Sequence, residues 1–196
     1  MCNNVELAEK VENMRKSEEL AKKLGEFLIA AAREKDVGVV DALLTIGAGD
    51  DAQRTKALIW ACELNCEKIV DLLLELKVDV TAKNNEAVIS ASRNANAQIV
   101  RKLVEAGADF TAQDNLALTS AALAGKADVV DFLLQQLKEK KLDFEKAGNV
   151  ALEDAIRFKR VKVLIVLFMH GIKPSKESVD YKLKKFMYEF FQELNK

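Results

Sequence analysis

The sequence predicts an all-α protein, a solenoid of about five helical hairpins with a capping helix at each end. Three observations lead there. The 196 residues include one proline and 6% aromatic side chains, far from the composition of sandwiches and barrels. Apolar pairs recur at a fixed interval along most of the chain. Each recurring unit divides into two stretches whose apolar residues follow helical rather than strand spacing. A chain of this length buries about 70% of the surface its unfolded form exposes, so neither disulfides nor a metal is needed for a core.

The N-terminal element, residues 1–24, places Leu7, Val11, Met14, Ala21 and Leu24 at helical spacing, with Ser17-Glu18-Glu19 able to start a fresh helix. It is expected to cap the stack. From 25 to 173 the pairs Val39-Val40, Ile69-Val70, Ile99-Val100 and Val129-Val130 recur every 30 residues, and Val163-Leu164 follows after 34. Twelve residues before each pair lies a matched element, from Phe27-Leu28 to Ala151-Leu152, followed by an alanine in every unit: Ala31, Ala61, Ala91, Ala121 and Ala155. Gly47, Gly107 and Gly171 keep the same phase, with Lys77 standing in for glycine.

Small residues on the first stretch let neighbouring first helices approach closely, while Ile99, Val100, Leu103 and Val104 make a wide apolar stripe on the second. Thr55, Asn85, Asn115 and Asn149 have the chemistry to cap the first helices. Gly107 and Gly171 are placed to end the second ones in a left-handed conformation. A single hairpin cannot bury its own apolar face, so the units must stack. The extra four residues fall within Gln135 to Asp143, predicting a longer second helix or a bulged loop around Lys138, Lys140 and Lys141 in the fourth unit. The last element, 174–196, begins at Pro174 and carries Val179, Leu183, Phe186, Phe190 and Leu194 on one face. Tyr181, Met187, Tyr188 and Phe191 lie off that stripe and exceed what a cap needs.

These features resemble the ankyrin repeat, above all in Ile99-Val100-Arg101-Lys102-Leu103-Val104-Glu105-Ala106-Gly107-Ala108-Asp109 and Val129-Val130-Asp131-Phe132-Leu133-Leu134. The family's Thr-Pro-Leu-His start is replaced by segments such as Lys56-Ala57-Leu58-Ile59 and Glu86-Ala87-Val88-Ile89. A period of 30 rather than 33 removes residues between Asp79 and Asn85 and between Asp109 and Asn115, where the family builds its β-hairpin finger, so shortened fingers or plain loops are expected. The resemblance implies a non-catalytic module that binds a protein on its concave face. Carried over by position, the row comprises Ala30, Arg33, Glu34, Trp60, Glu63, Leu64, Ser90, Arg93 and Asn94, then Ser120, Leu123, Ala124, Asp154, Arg157 and Phe158. Of these, Arg33, Trp60, Leu64, Arg93, Asn94, Leu123 and Arg157 are the expected partner-binding residues. Similar finger-poor repeats occur in protists, giant viruses and intracellular bacteria, which implies as an alternative a secreted effector or adaptor acting on host proteins.

Little in the sequence supports catalysis or a cofactor. His170 is the single histidine, expected as a capping or solvated residue, and nothing in register supplies it with a nucleophile and an orienting acid. Cys62 and Cys66 are four apart, but Cys62 occupies a small core-facing position and a structural zinc usually takes four ligands. Gly47-Ala48-Gly49-Asp50-Asp51 lacks the preceding strand and following Gly-Lys-Ser/Thr of a phosphate loop and reads as a turn between units. Glu153-Asp154 reads as an acidic pair at a helix start. Three cysteines fit a reducing, cytoplasmic setting. The first 24 residues lack a signal-peptide core, and the longest apolar run, Val163 to Met169, is too short to span a membrane. Lys and Arg number 16 against 22 Asp and Glu up to residue 137, and 14 against 9 beyond it, a basic end without the density of a nucleic-acid site. A monomer with a protein partner is expected. Homodimerisation or self-assembly through the aromatic C-terminal helix is the alternative.

Overall fold

A computed structural model describes residues 2–172, with side chains from residue 16 onward. The expected terminal helix with Val179, Leu183, Phe186, Phe190 and Leu194 lies outside the described residues. Among the described residues ten helices pair into five hairpins: α1 (Cys2–Arg33) with α2 (Val37–Thr45), α3 (Asp51–Glu63) with α4 (Glu67–Glu75), α5 (Ala82–Asn94) with α6 (Ala97–Glu105), α7 (Ala112–Ala124) with α8 (Ala127–Glu139), and α9 (Phe144–Arg157) with α10 (Val161–Met169). No strand occurs among the described residues. The first helix runs unbroken through Ser17, so no fresh helix starts there and the N-terminal segment is continuous with the first unit.

The first helices α1, α3, α5, α7 and α9 lie side by side in one layer, and the second helices form a looser layer behind them. The matched alanines explain the tight layer. Ala61, Ala91, Ala121 and Ala155 are wholly buried, and so are Ala57 and Ala117 one turn earlier. The second layer contributes the bulk: Ile69, Val70, Leu73, Ile99, Val100, Leu103, Val129, Val130 and Leu133 are fully buried in one continuous core. Burying such a side chain is worth about 1.5–3 kcal/mol relative to exposure.

Each second helix ends on a left-handed residue: Gly47, Lys77, Gly107, Lys141 and Gly171 have φ of 78°, 55°, 102°, 54° and 86°. The position, rather than the glycine, is the constant feature. The fourth unit absorbs its extra residues in α8, which has 13 residues where α2, α4, α6 and α10 have 9.

The starts of the first helices differ from the expected caps. Thr55 is buried within α3, whose cap is Asp50: its carboxylate accepts from Gln53 N at 2.7 Å while Gln53 Oε1 accepts from Asp50 N at 3.0 Å. Asn149 and the pair Glu153-Asp154 sit well inside α9, because Asp143 caps that helix by accepting from Lys146 N at 3.1 Å. The acidic pair is therefore not at a helix start. Asn85 and Asn115 do not cap either. Each closes a run of three left-handed residues, Lys83–Asn85 and Gln113–Asn115. Such a run costs about 1–2 kcal/mol per residue for most side chains and least for Asn and Asp, which occupy four of these six positions. Fixed bonds hold it. Asp79 and Asp109 accept from the backbone and hydroxyl of Thr81 and Thr111, Asn85 Oδ1 accepts from Asp109 N at 2.8 Å, and Gln113 Nε2 donates to Asn84 O at 2.9 Å. The Thr81 bonds also hold the Asp79 carboxyl below the ordinary carboxylate range. These turns are the shortened fingers, and each is bonded to its neighbour.

On the outer layer, polar side chains bridge successive units. Lys102 Nζ on α6 lies 2.7 Å from Glu67 and 2.6 Å from Asp71 on α4, and the hydrogen bonds to both carboxylates hold its ammonium above the usual lysine range. Arg101 stacks over Phe132 of the next unit at 4.5 Å. His170 Nε2 lies 2.6 Å from Asp131 of the unit before it. Of the two places expected for His170, capping or solvated, it holds the first: it is the C-cap residue of α10, and its side chain is 11% exposed and tied to α8.

Candidate functional site

Packing the first helices in register brings their C-terminal ends together as a row. Arg33, Glu63, Arg93, Leu123 and Arg157 hold equivalent places on α1, α3, α5, α7 and α9, each two residues after its matched alanine. The adjacent helices touch one another, so residues far apart in sequence become neighbours. Arg33, Arg93, Asn94 and Arg157 are exposed, Leu123 is 39% exposed, and Trp60 and Leu64 are half-buried. The guanidinium of Arg33 lies 5.2 Å from the centre of the Trp60 ring. This contact joins the first two units through their only large aromatic side chain in the row and holds one face of the indole against a cation.

Not every position of the expected row is open. Ser90 and Ser120, the counterparts of Trp60, are buried. On α5 and α7, which have a first helix on each side, a short side chain stays within the packed layer, whereas the indole on α3 is long enough to reach out of it; Ala30, on α1 with α3 alone beside it among the first helices, is exposed. Phe158, at the end of α9, is 44% exposed.

The turn joining each first helix to its second completes the site. At its end stands the residue preceding the second helix: Asp36, Cys66, Asn96, Lys126 or Arg160. Asp36 and Asn96 cap their own helices by accepting from Val39 N and Ile99 N. Lys126 and Arg160 only donate, and they reach back one unit instead: Lys126 Nζ to Asn94 O at 3.2 Å, Arg160 Nε to Leu123 O at 2.8 Å. Both bonds satisfy carbonyls at first-helix ends that lack helical partners. Sequence reasoning missed these two residues, although a cation where an acceptor caps the helix in other units was a readable signal. Asn65 makes a related tie, its Oδ1 accepting from Asn96 N at 3.1 Å.

The remaining candidates have structural places. Gly47 and Gly49 are left-handed residues in the turn before α3, closed by Arg54 donating to the Gly47 and Ala48 carbonyls. Cys62 is wholly buried in the core, and burial, with Glu63 nearby, pushes its thiol up to about 12 from an ordinary 9.0. In the native chain, thiol reagents at pH 8 are therefore expected to leave Cys62 unmodified until the protein unfolds, as mass mapping of the labelled peptides would read. The sign of the pH dependence follows. The folded state keeps this proton longer, so the group's contribution to stability is complete below pH 9 and is lost as the pH rises from about 9 towards 12. No group of three or more His, Cys, Asp and Glu side chains among the described residues is placed to hold a metal ion. No helix among them is long and apolar enough to cross a membrane.

Comparison with known proteins points to the same repeat. The family model described as ankyrin repeats (3 copies) matches residues 12–84, 27–114 and 88–178, which together extend over most of the chain. No curated protein matches the sequence. Five stacked helical hairpins, the phase of their buried alanines and the extent of the match agree: the chain belongs to the ankyrin-repeat family, whose repeats build protein-interaction modules.

Proposed function

We propose that this protein is a non-catalytic binding module that holds a partner protein against the row of first-helix ends formed by Arg33, Trp60, Leu64, Arg93, Asn94, Leu123 and Arg157. The observation that carries the reading is the Arg33–Trp60 stack: a large aromatic side chain, half-buried and pinned by a cation, at the open edge of a rigid helix layer. Trp and Arg dominate binding energy at protein interfaces because they bury large areas and lose little freedom when already held in place. Ankyrin-repeat domains are generally non-catalytic scaffolds. The residues of this row, arginines, leucines, Trp60 and Asn94, offer anchoring area and hydrogen bonds.

Trp60→Ala is expected to weaken binding of a partner isolated on the immobilised full-length chain by about 2 kcal/mol or more. Titration calorimetry measures the loss, with thermal unfolding as the control for folding. Unchanged affinity in a normally folded variant would remove Trp60 from the site.

A further inference from the structure

We infer that the last three units recognise an acidic segment of the partner protein that carries a bulky apolar side chain, an inference that rests on the first-helix row being the binding face. The strip concerned consists of Arg93, Leu123, Lys126, Arg157, Phe158 and Lys159. Its continuity is given by the bonds across units: Lys126 meets the end of α5 at Asn94 O, and Arg160 meets the end of α7 at Leu123 O. Arg160 also passes so close to Gly125 that a Cβ there would lie 3.1 Å from its Cδ. The ends of α5, α7 and α9 therefore form one surface.

Its charge is uncompensated. Among the described residues no carboxylate forms an ion pair with Arg93, Lys126, Arg157, Lys159 or Arg160. Lys126 and Arg160 bond backbone carbonyls, which leaves their full charge in place. The nearby acids are fewer: Asp128 turns its carboxylate towards Ala97 N, Asp154 is half-buried on α9, and exposed Glu153 stands one turn before Arg157 without pairing with it. Helix dipoles account for Arg93 and Arg157, which stand in the last turns of their helices. Lys159 and Arg160 follow the end of α9, where the same dipole favours cations, and Lys162 adds a charge in the first turn of α10, which holds no acid. Leu123 and Phe158 supply the apolar component, exposed at 39% and 44% between the charges. The first two units lack this character, since Glu34 and Asp36 offset Arg33 and Lys35 in the first and Glu63 and Glu67 flank the turn of the second. Acidic side chains around an apolar anchor complement such a strip in both charge and contact.

A randomised 12-residue displayed peptide library, selected on the full-length protein, tests the inference. Enriched peptides are expected to place Asp and Glu around Phe, Leu or Trp. The best synthetic peptide should bind on the order of tenfold more weakly to the Arg157→Glu/Lys159→Glu double variant and at high salt. Leu123→Ser, which adds no charge, should weaken the same peptide and serves as the second variant if the first is unstable. Enrichment without acidic bias, no enrichment, or affinity unmoved by charge reversal would overturn the inference, as would equal binding by an oligouridylate of the same length. Non-acidic peptides that still lose affinity in Trp60→Ala would sink this inference alone. Peptides indifferent to both Trp60→Ala and the double variant would sink the binding face as well.

Discussion

Leu103→Ala is expected to destabilise the protein by about 2–5 kcal/mol, the cost of removing buried methylene groups and leaving a cavity behind. Leu103 is wholly buried on α6, in the middle unit, within the continuous apolar core. In a solenoid each unit is stabilised mainly through its neighbours, so a cavity at the centre weakens two interfaces at once. Denaturant unfolding followed by circular dichroism measures the effect. Leu76→Ala, at a position 45% exposed at the end of α4, provides the comparison and should change stability far less.

Ala91→Leu tests the opposite limit. Ala91 is wholly buried on α5, which packs against both α3 and α7. Added carbons have no space there and must push the helices apart or adopt strained rotamers, at about 1–3 kcal/mol and occasionally more. Ala30→Leu, one residue out of phase and exposed on α1, should be close to neutral. A melting temperature lowered by the first change and unmoved by the second would show that the alanine phase read from the sequence is a packing constraint. Equal tolerance at the two positions would remove close approach of the first helices as the reason for the alanines.

The core was legible because a stacked repeat imposes the same packing demand at the same phase in the second to fifth units, whereas in the first Phe27 and Val39 are exposed. That demand shows as apolar pairs and alanines, and it placed Ile69, Ile99, Val129 and Val163 in the core. The longer α8 was legible too, since an insertion in a fixed register must be absorbed somewhere. The helix starts were not. Asn85 and Asn115 suit both a helix cap and a left-handed residue, and only the bond from Asp109 N to Asn85 shows which use the chain makes of one of them. Asp50 and Asp143, which cap the other two starts, stand several residues before the aligned Thr55 and Asn149, so alignment of the units pointed to the wrong residue. Lys77 and Lys141 adopt the glycine conformation without being glycine, because the turn geometry is set by the packing of the hairpin. In the candidate site, the first-helix register placed Arg33, Trp60, Leu123 and Arg157 on one row, but their depth in the layer was not legible. Burial of Ser90 and Ser120 depends on side-chain length relative to a helix spacing that only the folded layer defines. The ties made by Lys126 and Arg160 join residues 32 and 37 apart and needed the stack itself to be seen.

Photo-cross-linking distinguishes binding on the first-helix row from binding elsewhere. A photoreactive amino acid placed at Trp60 or Leu123 samples the row, while the same group at Gln135 on α8 or Ile165 on α10 samples exposed positions of the outer layer. A partner protein bound on this row is cross-linked from residues 60 and 123 and left unmodified from residues 135 and 165. Cross-links formed from the outer positions, with none from the row, would contradict this placement.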